Sequence, residues 1–235
     1  MERTLSVIVP GYNEEKNIAS AIESVVRAVS DIVDDYEIIV VDDGSTDSTA
    51  AVARTFADKD PRVRVVRNET NRGYGFSYRR GLAAAVMNYV TSFCGDNDMS
   101  GDSLRELVKA MGRAQVITCY YLPGQRRPWL RSILSRAYSG LINVLFGLKL
   151  RYPNGTVTCE LALVRSLDLK CDGMAVHSEC LVKLLKKGCS YEEIGFDHVG
   201  RRHGHSRALT VRNLVQTFRV ICFLFREVYF EKRET

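Results

Sequence analysis

Two aspartates flank one asparagine at Asp96-Asn97-Asp98, directly after the short run Thr91–Cys94. In extended backbone, residues two apart point to the same side. Two carboxylates presented together suit a hard divalent cation that also holds a diphosphate. An acidic turn with a capping aspartate accounts for the same three residues. A second acidic pair, Asp42-Asp43, closes the apolar run Tyr36–Val41 and precedes Gly44-Ser45. Burying adjacent carboxylates costs desolvation unless donors meet them, and a base edge or a ribose hydroxyl would serve. A turn followed by a helix cap within Ser45–Ser48 explains the pair as well. The stretch Asn71-Arg72-Gly73-Tyr74-Gly75 either lets backbone approach a ligand or simply turns the chain before a helix. The familiar nucleotide-binding glycine motifs are missing. Pro10-Gly11-Tyr12-Asn13-Glu14 stands where G-x-G-x-x-G would follow the first strand, and no G-K-[ST] occurs.

These clusters need elements to hold them, and the first half alternates strand and helix patterns. Leu5–Pro10, Tyr36–Val41, Val63–Val66, Thr91–Cys94 and Val116–Tyr120 are short apolar runs that predict strands. Ile18, Ala21, Ile22, Val25, Val26 and Val29 recur at helical spacing, and Ala50–Phe56, Gly75–Val90 and Leu104–Met111 predict further helices. Strands separated by helices imply βαβ crossovers and a mostly parallel sheet. Ligands bind such sheets outside the carboxyl ends of the strands, where the polar clusters lie. The second half is less regular. Trp129–Leu148 is apolar and aromatic, Val157–Val164 and Tyr191–Phe196 predict strands, and Ser178–Lys187 and Leu209–Phe230 predict helices.

Composition narrows the class. A chain of 235 residues is long enough for one compact α/β unit with an appendage. Apolar residues at 46% and charged residues at 26% exclude a disordered chain, a collagen-like chain and a small disulfide scaffold. No apolar run long enough to span a bilayer lacks a charge, which argues against a polytopic membrane protein. Seven cysteines without C-x-x-C spacing support neither a disulfide framework nor a zinc site. With no secretory leader pattern, the expected location is the cytoplasm. The net charge of +5 is unevenly spread. From Gln115 to Cys159 there is no acidic residue, yet Arg126, Arg127, Arg131, Arg136, Lys149 and Arg151 fall there. That asymmetry predicts one part handling metal and polar substrate and another meeting an anion.

Four motifs in order resemble one family. Val9-Pro10-Gly11-Tyr12-Asn13-Glu14, Val41-Asp42-Asp43-Gly44-Ser45-Thr46-Asp47, Asn71-Arg72-Gly73 and Asp96-Asn97-Asp98 resemble the family-2 glycosyltransferases of the GT-A fold. Arg201-Arg202-His203-Gly204-His205-Ser206-Arg207 resembles the R-x-x-G-x-S-K element of the polyprenyl-phosphate sugar transferases, the group of the dolichol-phosphate mannose synthases, with Arg207 in place of lysine. The resemblance implies an α/β, Rossmann-like GT-A fold: a mostly parallel sheet flanked by helices, with C-terminal amphipathic interfacial helices. The expected catalytic domain covers 1–207, with a nucleotide-sugar and metal half over 1–120 and an acceptor half over 121–207, followed by an amphipathic helix over 208–235.

By the same resemblance, Pro10, Tyr12, Glu14, Asp42, Asp43 and Gly73 bind the donor's base and ribose. Asp96 and Asp98 hold Mg2+ or Mn2+ against its diphosphate. Arg201, Ser206 and Arg207 close on phosphate oxygens, and Asp98 joins them as a catalytic group. Arg126, Arg127, Arg131 and Arg136 meet the acceptor phosphate. Guanidinium forks and hydroxyls are independently suited to phosphate. The sequence departs from the family at Asp96-Asn97-Asp98-Met99-Ser100, where Asp-Ala-Asp-Leu-Gln is frequent, and again at Tyr152-Pro153-Asn154-Gly155-Thr156 and Thr118-Cys119-Tyr120-Tyr121. These changes fall near the donor sugar and the acceptor.

The implied reaction is a single inverting displacement at the anomeric carbon of a nucleotide sugar by a polyprenyl (dolichyl or undecaprenyl) phosphate, at the cytoplasmic face of a membrane. A phosphate acceptor is already ionised near neutral pH and needs no general base. A sugar-hydroxyl acceptor in cell-surface polysaccharide synthesis would need one. His177 and Glu179 are then the candidates, although a polar loop residue is the preferred reading of His177 and a helix-start carboxylate explains Glu179. A nucleotide-binding module without turnover is the remaining alternative. Apolar residues with flanking arginines over 129–148 and 209–230 predict peripheral membrane binding, or packing in a homodimer or against a membrane-anchoring subunit. The transmembrane helices that many relatives carry after the catalytic domain are not expected here, so anchoring is expected to be peripheral or through another subunit. Nucleic acid is not an expected partner.

Overall fold

The computed structural model describes residues 2–122, 129–197 and 211–230, with the side chains of 130, 131 and 211–214 outside the description. Seven strands form one sheet: β1 (Thr4–Gly11), β2 (Asp35–Asp42), β3 (Val63–Arg67), β4 (Tyr89–Ser92), β5 (Val116–Tyr121), β6 (Thr158–Glu160) and β7 (Tyr191–Phe196). Their order is β3-β2-β1-β4-β6-β5-β7, and every pairing is parallel except those of β6 with its two neighbours. The chain steps outward from β1 to β2 and β3, then returns to add β4 on the other side of β1. The strand ends at β1 and β4 therefore form a switch point, where an open α/β sheet leaves a crevice.

Eight helices complete the described fold: α1 (Ile18–Val29), α2 (Thr49–Ala57), α3 (Tyr74–Ala84), α4 (Gly101–Lys109), α5 (Trp129–Phe146), α6 (Leu161–Arg165), α7 (Val176–Lys186) and α8 (Val211–Tyr229). Strand alternation sends successive side chains to opposite faces. Leu5, Val7 and Val9 of β1 join α1, α2 and α4 in one core, whereas Ile8 joins α3, α6 and α7 in the other. Both faces being covered, β1 and β2 read as continuous apolar runs rather than alternating ones.

The fourth strand lies two residues earlier than the expected Thr91–Cys94, and two elements differ more from the sequence pattern. The helical spacing over Gly75–Val90 is interrupted, because α3 stops at Ala84 and β4 begins at Tyr89. Tertiary partners draw the intervening amides away. Val86 N donates to Glu37 Oε1 at 2.7 Å, Met87 N to Ser6 Oγ at 3.2 Å and Asn88 N to Thr4 Oγ1 at 3.0 Å. The strand expected over Val157–Val164 shortens to Thr158–Glu160 and turns into α6 at Leu161. The Arg165 guanidinium there donates to the carbonyls of Leu82 and Ala85, tying α6 to the end of α3.

The helices α5, α7 and α8 share a smaller core of Ile142, Phe146, Val182, Ile221 and Leu224. Tyr229 Oη donates to Leu145 O at 2.8 Å, and Lys183 of α7 pairs with Glu227 of α8 at 2.9 Å. The opposite faces remain exposed: Trp129, Ile133, Leu134, Leu141 and Val144 on α5, and Val215, Phe218 and Phe225 on α8. No helix among the described residues is long and apolar enough to cross a membrane.

Candidate active site

The loops after β1 and β2 are sewn together by side chains. Asn13 takes a left-handed backbone (φ 55°), which asparagine tolerates better than most residues. Its amide donates to Ser45 Oγ at 2.9 Å, and its Oδ1 accepts from Thr46 N at 2.9 Å. Glu14 N donates to Thr49 Oγ1 at 2.7 Å. Ser45–Ser48 are thus spent on cross-links, and Asp47 Oδ1, not a serine, accepts Thr49 N at the start of α2. Pro10, the penultimate residue of β1, lies opposite Val41, and its carbonyl accepts from Gly95 N at 3.0 Å. Tyr12 is half-buried, while Glu14 is buried with its Oε2 accepting from Asn17 Nδ2 at 2.7 Å.

The two aspartates after β2 have different work. Asp42 is fully buried, with Arg67 Nε 3.1 Å from its Oδ2 and Ser45 N donating to its Oδ1 at 3.0 Å. It braces β3 against the loop after β2. Asp43 Oδ1 accepts from Asn68 Nδ2 at 2.8 Å and from Arg72 N at 3.0 Å, and its Oδ2 accepts from Gly73 N at 2.8 Å. One carboxylate therefore shapes the loop that leads into α3. Gly73 has φ 105°, and a Cβ there would lie 2.5 Å from Asp172 O, so both conformation and space require glycine.

The Asp96/Asp98 pair comes together by another route than strand alternation. The β1–β4 pairing continues through Phe93 N to Ile8 O and Gly95 N to Pro10 O, and then the chain turns. Asn97 takes φ 55°, its amide returns to Cys94 O at 3.0 Å, and its Nδ2 donates to Ser20 Oγ of α1 at 2.9 Å. The turn gathers three side chains: one ligand atom each from Cys94, Asp96 and Asp98 lie within 4.8 Å of one another. Two carboxylates and a thiol at that separation fit a divalent cation.

Beneath this cluster, Tyr74 Oη is 3.0 Å from His177 Nε2 and 3.9 Å from Cys94 Sγ, and Ser92 Oγ is 3.3 Å from the same His177 nitrogen. His177 lies inside the first turn of α7 rather than in a loop, and burial pushes its imidazole down to about 4. Glu179 is fully buried. It accepts from Lys170 N and Cys171 N and pairs with Lys183 at 2.9 Å.

The site residues expected from sequence distribute as follows. Pro10, Tyr12, Glu14, Asp42, Asp43, Gly73, Asp96 and Asp98 all occur at the carboxyl ends of β1, β2 and β4 or in the loop before α3. Arg136 stands exposed on α5. Arg131 belongs to α5, with its side chain outside the description, and Arg126, Arg127, Arg201, Ser206 and Arg207 lie outside the described residues. Sequence reasoning passed over Cys94, Tyr74, Asn68 and Ser92. Cys94 carried a signal, standing two positions before Asp96 as Asp98 stands two after. Asn68 carried none, because its partners Asp43 and Ser77 are remote in sequence.

Comparison with known proteins is consistent with this geometry. The chain is 26% identical over 207 residues to an undecaprenyl-phosphate 4-deoxy-4-formamido-L-arabinose transferase of Edwardsiella ictaluri, covering 86% of this chain and 62% of that one. It is 26% identical over 233 residues to a dodecaprenyl-phosphate galacturonate synthase of Rhizobium johnstonii, covering 96% of this chain and 67% of that one. The chain thus spans about two thirds of these relatives' length. Among solved structures, it resembles glucosyl-3-phosphoglycerate synthase of Mycobacterium tuberculosis, crystallised with Mn2+, UDP and phosphoglyceric acid, with TM-score 0.71 and 23% identity over 98% of this chain and 80% of that one. That likeness establishes the GT-A fold. Residues 6–168 match the family described as glycosyl transferase family 2, and the chain belongs to that family.

Proposed function

We propose that this chain is a metal-dependent, inverting glycosyltransferase that moves a sugar from a nucleotide-sugar donor to a polyprenyl phosphate on the cytoplasmic face of a membrane. The observation that carries the proposal is the gathering of Cys94, Asp96 and Asp98 at the β1–β4 switch point, on the same sheet edge as the Asp43-shaped loop. Residues 1–120 handle donor and metal, residues 121–207 the acceptor, and 208–235 the membrane surface. Pro10, Tyr12, Glu14, Asp43 and Gly73 line the base and ribose. Asp96 and Asp98 would hold Mg2+ or Mn2+, which supplies charge neutralisation for the departing diphosphate. Arg201, Ser206 and Arg207 donate to phosphate oxygens, and Arg126, Arg127, Arg131 and Arg136 orient the acceptor phosphate. Preorganised donors of this kind lower the barrier without reorganisation during the reaction.

A phosphate acceptor is favoured by the state of His177 and Glu179, the two residues that the sequence offers as bases. Transfer to a sugar hydroxyl needs a general base. His177 is buried, with its Nε2 against Tyr74 and Ser92, and Glu179 is bound to two amides and Lys183. Two relatives whose names specify polyprenyl-phosphate chemistry add to the case. Docking on a membrane is supported by the exposed apolar residues of α5 and α8, with Arg136, Arg219 and Arg226 exposed on the same helices.

The test is transfer of label from GDP-mannose, UDP-glucose and UDP-N-acetylglucosamine to a short polyprenyl phosphate, with Mg2+ or Mn2+. A labelled lipid from one donor is expected, and Asp98→Ala should abolish it. Nucleotide release only with a polysaccharide acceptor would overturn the acceptor assignment. Full transfer by Asp98→Ala in metal-replete buffer would overturn the metal role.

A further inference from the structure

We propose that Cys94 is a third protein ligand of the cation and makes the site thiophilic, so that Zn2+ or Cd2+ binds there more tightly than Mg2+. The inference rests on the metal reading above and adds a donor that the Asp-x-Asp pattern does not contain. Three observations carry it. The Sγ of Cys94 and one oxygen each from Asp96 and Asp98 lie within 4.8 Å of one another. Around a tetrahedral zinc, a thiolate sulfur and a carboxylate oxygen are about 3.6 Å apart, given bonds near 2.3 and 2.1 Å. Side-chain rotation of about 1 Å therefore closes the set around an ion.

The backbone that carries the three groups is held independently of any ion. Gly95 N is bonded to Pro10 O, Asn97 N to Cys94 O, and Asn97 Nδ2 to Ser20 Oγ. Cys94 is also half-buried, whereas Cys119, Cys159, Cys171 and Cys180 are buried in the cores, so an ion can reach it. Finally, a hydroxyl stands behind the sulfur. Tyr74 Oη lies 3.9 Å from Cys94 Sγ and is anchored by His177 Nε2 at 3.0 Å. When sulfur binds the ion, the thiol proton leaves to solvent and the S–metal bond forms. The thiol then no longer donates to Tyr74, and the Tyr74 hydroxyl can donate to the thiolate instead. Such outer partners orient a ligand and strengthen the site. A thiolate beside two carboxylates selects softer ions than carboxylates alone.

The experiment uses the full chain, wild type and Cys94→Ser, with metals alone. Adding Co2+ to wild type should produce a near-ultraviolet sulfur-to-metal charge-transfer band that Cys94→Ser lacks. By calorimetry, Cys94→Ser should weaken Cd2+ binding about tenfold or more, and Mn2+ binding less than about threefold. Zn2+ should protect the Cys94 peptide from alkylation while the exposed Cys222 still reacts, read by mass spectrometry. Equal Cd2+ affinity in the two forms, with Mn2+ still bound, would overturn the thiolate ligand and leave the metal reading standing. Failure of both forms to bind Mn2+ or Cd2+ would overturn the metal reading and this inference with it.

Discussion

Replacing Asp43 by alanine separates a residue that touches the nucleotide from one that also builds its binding loop. The carboxylate is buried and accepts from Asn68 Nδ2, Arg72 N and Gly73 N at 2.8 to 3.0 Å. Hydrogen bonds to a charged partner contribute about 1.5–3 kcal/mol each. The Arg72 and Gly73 amides are only partly buried, so water replaces much of their loss. The Asn68 amide is buried and keeps Ser77 Oγ at 3.0 Å as its other acceptor. Asp43→Ala should therefore cost about 2–4 kcal/mol in total. For a chain of this length that is a fall in Tm of about 4–16 °C. Urea unfolding and thermal scanning without any ligand measure it. Asp43→Asn keeps one oxygen but turns an NH2 toward an N–H, and should fall between wild type and alanine. A variant that loses donor affinity while its ligand-free stability stays within about 0.5 kcal/mol of wild type would refute the loop-building role.

Two further expectations concern the groups beneath the site. The depressed His177 pKa means that the unfolded chain takes up a proton first as pH falls. Stability is then lost between about pH 6.5 and 4, with about 2 kcal/mol of it going between pH 7 and 5. Urea unfolding at the two pH values should show that loss in wild type and a flatter dependence in His177→Gln, and equal slopes would refute the assignment. Lys183→Met should destabilise by about 3–5 kcal/mol, since it leaves the buried Glu179 without its cation. It also removes the Glu227 contact to α8, so hydrogen exchange over 211–229 should quicken. Adding Glu179→Gln should recover part of the loss, and strict additivity of the two changes would refute the pairing.

Much of the catalytic edge was legible because its signals are local. A buried parallel strand is a short apolar run, and the polar residue that ends it marks a strand terminus. That logic places Glu14, Asp43, Asp96 and Asp98 on one sheet edge, where the structure has them. It failed where a local pattern had a remote competitor. The run after Gly75 has helical spacing, but Glu37, Ser6 and Thr4 capture the amides of Val86, Met87 and Asn88. Sequence alone reads His177 as a polar loop residue and Glu179 as a helix-start carboxylate, yet both are buried because α7 packs on the second core.

Residue order alone determined the alternation of strands and helices, the parallel character of the sheet, and the family motifs. Each of these depends on periodicity or spacing within a few tens of residues. Tertiary structure decided the antiparallel insertion of β6 between β4 and β5, the service of Asp42 and Asp43 to Arg67, Asn68 and the loop before α3, and the recruitment of Cys94 beside Asp96 and Asp98. Those outcomes depend on which distant groups reach a buried donor or acceptor first, and on a left-handed turn at Asn97 that replaces strand alternation. Pairings between remote residues are set by packing, and packing is not written in the spacing of any one segment.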